Sequence, residues 1–116
     1  MNYDLFLETV DSKYKEAFVL TRDLILNSHP AITIVTKYGY PFFVLKKNLF
    51  YVGVQNSQPF IGVCYAYKMP NILSLLDMTG RTRIGHFSLK DLNQTRYEEL
   101  VAIVDATIAH DLNTNK

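Results

Sequence analysis

The chain has no tryptophan, one cysteine, five glycines and four prolines among its 116 residues. A lone thiol, Cys64, cannot close an intrachain disulfide, so the fold must rest on a packed core. Charge of one sign is also missing: 12 Lys and Arg stand against 11 Asp and Glu, a net +1. That balance supplies no long-range field to gather nucleic acid or an anionic membrane, so neither is an expected partner. No apolar run approaches the length that spans a bilayer, and no charged-then-apolar leader precedes a small-residue cleavage site. A cytoplasmic location is expected. Internal repeats, low-complexity tracts and linkers are absent as well.

What is present is an ordinary globular composition, 48% hydrophobic and 20% charged. A chain this long hides roughly two thirds of the surface it exposes when unfolded, which is enough for one core and one domain over residues 1–116. Tyr3, Phe6, Leu7 and Val10 recur at helical spacing, and Asp11-Ser12 ends that helix and caps the next. Over residues 13–27, Tyr14, Ala17, Phe18, Thr21, Leu24 and Ile25 line one side of a second helix, which stops before Pro30.

The period then changes. Runs of β-branched and aromatic residues at 32–38, 41–45, 49–54 and 60–65 read as strands, joined by turn-rich connectors too short for parallel crossovers. Met69-Pro70 opens an expected short helix through Leu76, and a last strand is expected over 82–87. A closing helix carries Tyr97, Leu100, Val101, Val104, Thr107 and Ile108 in one stripe, with a frayed tail from Asp111 to Lys116. The expected fold is α+β: an antiparallel meander of about five strands, its N-terminal and C-terminal helices on one face and its other face partly open.

No catalytic constellation is legible. Cys64 lies amid Ile61, Gly62, Val63, Tyr65 and Ala66, an apolar setting that raises a thiol's pKa and suits a small core hydrophobe. His29, His86 and His110 are scattered, and none has a zinc-like partner except His110 beside Asp111, a pair expected to be solvent-exposed. His86 reads as a partly buried histidine using a ring N–H on a neighbour, and His110 as a partner of a helix C-terminus.

Two residue sets are candidate sites. Asp4, Glu8 and Asp11, at i, i+4 and i+7, would form an acidic ridge on the first helix, either a weak cation site or a solvated face. In the segment 38–43, glycine and proline force a reversal and Tyr38, Tyr40 and Phe42 alternate between core and surface. Arg81 and Arg83, on one face of the expected last strand, could clamp an anion beside them or serve as edge-strand charge. Leu20 and Ile103 fall on the expected polar sides of their helices, which makes a homodimer a further reading.

The segments 21–26, 36–43, 58–63 and 81–83, together with the apolar closing helix, resemble the YdhG-like family, known as domain of unknown function 1801. Tyr38-Gly39-Tyr40-Pro41-Phe42-Phe43, a Tyr-Gly-x-Pro-x-Phe element, is the most specific part of that resemblance. Many relatives carry a tryptophan just before Lys-Tyr-Gly, and this chain has none. The resemblance implies a compact α+β sandwich and, for some members, a frataxin-like role as an intracellular iron chaperone. Iron is then the implied cargo, with Asp4, Glu8 and Asp11 compatible as weak oxygen ligands. The rival expectation is a small-molecule, anion-binding or protein-interaction module on the open sheet face.

Overall fold

In the computed structural model, which describes residues 2–114, three helices and five strands follow one another in the order α1, α2, β1 to β5, α3. Helix α1 spans Tyr3–Thr9 and is capped by Asn2, whose side chain accepts from Leu5 N at 2.9 Å. Asp11 caps α2 (Ser12–Ser28) by accepting from Lys13 N at 3.1 Å. The helix ends where the sequence requires. His29, preceding Pro30, is extended at φ −162°.

Strands β1 (Thr33–Lys37), β2 (Tyr40–Val44), β3 (Asn48–Gln55), β4 (Gln58–Val63) and β5 (Gly85–Ser88) form one antiparallel sheet in the order β1-β2-β3-β4-β5. The meander expected from the short connectors is the observed topology. Its boundaries differ from the expected ones for local reasons. Tyr38 and Gly39, at φ 54° and 82°, form a two-residue hairpin turn, so Tyr40 and Pro41 belong to β2 and not to the reversal. Asn56 and Ser57, at φ 52° and 61°, do the same between β3 and β4, so this connector is also a tight turn. The fifth strand starts at Gly85 and not at residue 82, and Asp77 pairs with His86 on its outer edge. Arg81 and Arg83 therefore sit in the loop before β5, a correction to the expected strand position. The single helix expected after Met69-Pro70 is replaced by two 3-10 turns, Ala66–Lys68 and Leu73–Leu75.

Strand alternation divides the sheet. Phe43, Phe50, Val52, Ile61, Val63 and Phe87 face the helices and are buried with Phe18, Ile25, Leu100 and Val104. Burying each such side chain contributes on the order of 1.5–3 kcal/mol. Helix α3 (Gln94–Leu112) buries Ile103 completely, correcting its expected place on the polar side; of the two residues that suggested a dimer, only Leu20 is exposed. The helix also continues past the expected onset of fraying. Asp111 is 3% exposed and its carboxylate accepts from Lys46 N at 2.8 Å and Lys47 N at 3.4 Å, which pins the helix end to the β2–β3 turn. The expected fraying of residues 115–116 lies outside the described residues.

Candidate functional site

The residues alternating away from the helices make the other face of the sheet. Phe42, Tyr51, Gly62 and His86 are successive register partners across β2, β3, β4 and β5. The glycine in this row is what joins its ends. A Cβ at Gly62 would clash with the Tyr51 ring at its Cε1 and Cζ atoms, so only glycine lets that ring lie over β4 and reach His86. Gly53 admits Tyr40 in the same way, with an added Cβ falling 2.7 Å from its ring. The result is a mat of rings. Phe42 stacks on Tyr51 at 5.1 Å and Phe60 on His86 at 4.2 Å, while Tyr40 tilts against Tyr51 at 5.5 Å.

A cavity of about 400 Å³ opens on this face, lined by Tyr38, Tyr40, Phe42, Asn48, Tyr51, Cys64, Tyr65, Arg83 and Ile84. Four of the five residues singled out around the reversal and the arginines thus line one space. Arg81 does not; it borders a neighbouring cavity of about 270 Å³ together with Phe60, Asp77 and His86. Tyr38, 87% exposed at the turn, packs its ring edge against Phe42 at 6.0 Å. Arg83 lies over the Tyr67 ring at 4.7 Å and donates to its hydroxyl at 2.9 Å. Lys37 donates to Asn48 Oδ1 at 2.9 Å, placing a second cation beside the rim. No carboxylate is among the lining residues.

The polar groups behind the rings are linked. Arg81 donates to the carbonyls of Asp77 and Thr79, each at 3.2 Å, and to His86 Nδ1 at 3.0 Å. The other ring nitrogen, Nε2, lies 2.9 Å from the Tyr51 hydroxyl. Burial, and then the Arg81 charge, push His86 down to about 4, so the imidazole is neutral near pH 7. Burial also raises Tyr51, with a smaller push from Cys64, and the phenol keeps its proton. Cys64 itself is pushed up to about 12 by burial, against a weaker pull from Lys37. A thiol so placed is no nucleophile at neutral pH.

The acidic set is dispersed. Asp4 and Glu8 are exposed on α1, Asp4 facing Arg22 at 3.8 Å, whereas Asp11 lies beyond that helix and spends its carboxylate on the α2 cap. The expected continuous ridge is therefore broken at Asp11. Among the described residues no group of three or more His, Cys, Asp or Glu side chains is placed to hold a metal ion. Asn48, Tyr51, Tyr65 and Ile84 also line the aromatic cavity without having been singled out in the sequence, and Cys64, read there as a core hydrophobe, lines it too. The two mid-strand glycines, which mark close approach of another group, were the signal that could have found Tyr51.

No family model matches the chain, and no curated protein matches it in sequence. Among solved structures, a protein of the DUF1801 family, YdhG of Bacillus subtilis, matches with a TM-score of 0.72 over 98% of this chain and 94% of that one. The fold is the YdhG-like fold. Identity over the match is 12%, so the likeness carries the architecture and not the site. Within the YdhG-like fold of this chain, no helix among the described residues is long and apolar enough to cross a membrane.

Proposed function

We propose that this chain is a divergent YdhG-like cytoplasmic binding domain whose open sheet face takes a small, flat organic anion. The observation that carries this reading is the cavity of about 400 Å³, walled by Tyr38, Tyr40, Phe42, Tyr51 and Tyr65, with Arg83 at its edge and no carboxylate in its lining. Aromatic walls offer apolar area to a flat ligand, and a guanidinium favours a carboxylate. The Tyr-Gly-x-Pro-x-Phe element supports the family placement, and the unpaired thiol of Cys64 is in keeping with a reducing compartment. Because Cys64 is protonated and His86 neutral, with its two ring nitrogens engaged, the site is read as a binder and not as a catalyst. An iron-holding role would need converging oxygens, which Asp4, Glu8 and Asp11 do not supply.

Benzoate and its para-substituted derivatives are suitable probes. Bound ligand should raise the melting temperature with the logarithm of its concentration above the dissociation constant, and Arg83→Ala should weaken benzoate by at least about fivefold, the scale of one charge-assisted hydrogen bond. Equal affinity in the variant, or no thermal shift with any benzoate, would remove the reading.

A further inference from the structure

The chain of contacts behind the cavity has a direction. A guanidinium carries donors only, so His86 Nδ1, 3.0 Å from Arg81 Nη2, must be the accepting nitrogen of the neutral ring. The ring proton then resides on Nε2 and is donated to the Tyr51 oxygen at 2.9 Å. Arg81 cannot turn away easily, because the carbonyls of Asp77 and Thr79 hold the same Nη1 atom at 3.2 Å each. With its oxygen accepting from His86, the Tyr51 hydroxyl must send its own hydrogen elsewhere. Among the described residues no protein acceptor meets it, and Tyr51 lines the aromatic cavity. The phenol therefore presents a donor to that space.

We infer that Arg81, through His86, fixes Tyr51 as a hydrogen-bond donor into the cavity, so that the site selects ligands bearing an acceptor oxygen over isosteres that lack one or that carry a donor. The inference rests on the proposed binding role and adds a selection rule to it. Arg81 and His86 are positioning residues here, and Tyr51 is the group that would touch the ligand.

Two measurements test this separately. In the ligand-free protein at pH 7, long-range ¹⁵N correlations of the His86 ring should show a neutral ring protonated at Nε2; a ring protonated at Nδ1 alone would overturn the inference. In Arg81→Met the ring should shift toward a mixture of tautomers, whereas Arg81→Lys, which retains a donor-only cation, should restore Nε2. By calorimetry, para-acetylbenzoate should bind about three- to tenfold tighter than para-isopropylbenzoate, the value of one hydrogen bond, and tighter than para-aminobenzoate. That preference should vanish in Tyr51→Phe and shrink in Arg81→Met, while Arg81→Lys keeps it. If the wild type binds the acetyl and isopropyl compounds equally, the selection rule is wrong and the anion-binding role stands. If none of the benzoates binds, the binding role fails and the selection falls with it.

Discussion

At the residue scale, the open face is governed by a few side chains whose neighbours fix their protonation. His86 stacks on Phe60, faces Arg81 and Tyr51, and has Asp77 as its paired neighbour on the outer edge. Burial outweighs the opposing pull of Asp77, whose own carboxyl is held low mainly by hydrogen bonds from Thr79. The folded ring takes a proton only near pH 4, whereas an unfolded histidine does so near 6.5. Between those values the unfolded state binds more protons, so the stability this group supports at neutral pH is lost as pH falls from roughly 6.5 to 4. Denaturant titrations of the wild type and of His86→Phe over this range should diverge in that direction and run parallel below it. Parallel curves throughout would contradict the environment described for His86. The sequence alone suggested a partly buried histidine with a ring nitrogen on a neighbour, and the structure supplies the neighbours. It did not reveal Tyr51, because nothing local to β3 shows that Gly62 of another strand leaves room for the ring.

At the scale of elements, the tie between α3 and the β2–β3 turn is the clearest long-range polar link. Asp111 is almost fully buried and serves two amides of the turn, while Lys46 Nζ reaches back to the carbonyls of Leu112 and Thr114. A cation on the last carbonyls also suits the negative end of the helix dipole. Removing the carboxylate leaves turn amides without their partner, so Asp111→Ala should lower the unfolding free energy by about 1–3 kcal/mol, read as a lower urea midpoint at unchanged slope. A change within error would show that water replaces the carboxylate without loss. Sequence reading missed this link because it pairs residues some 65 positions apart, and a polar C-terminus with no apolar stripe reads as frayed. The positions of α1, α2 and α3, the meander and the two layers were legible, since periods of 3.6 and 2 and short connectors constrain them strongly, whereas the short helix expected after Met69-Pro70 was not formed. The arginine loop was not. Arg81-Thr82-Arg83 alternates like a strand, but the neighbouring strand β4 ends at Val63, opposite Gly85, and the chain then enters the Ala66–Lys68 turn, so these residues have no strand to pair with. Ile103 was misplaced for a related reason: the core covers a wider arc of α3 than a single stripe, and Leu100, Ile103, Val104, Thr107 and Ile108 all lie within it.

For the whole molecule, the two faces of the sheet have different assignments. One is closed by three helices over a continuous core, and the other carries rings, two arginines and a cavity. Phe42 and Phe60 are themselves buried, at 7% and 5% exposed, by the rings around them, so the open face is packed and preorganised. Preorganised aromatic surface lowers the entropic cost of taking up a flat ligand. The most direct measurement is a titration of isotope-labelled protein with benzoate, followed by NMR at the aromatic carbons and the arginine side chains. The account predicts saturable shifts at Tyr40, Phe42, Tyr51, Tyr65 and Arg83, with Phe18, Phe50 and Phe87 on the helix side unmoved. Shifts confined to α1 or spread evenly over the surface, or none at millimolar ligand, would contradict it.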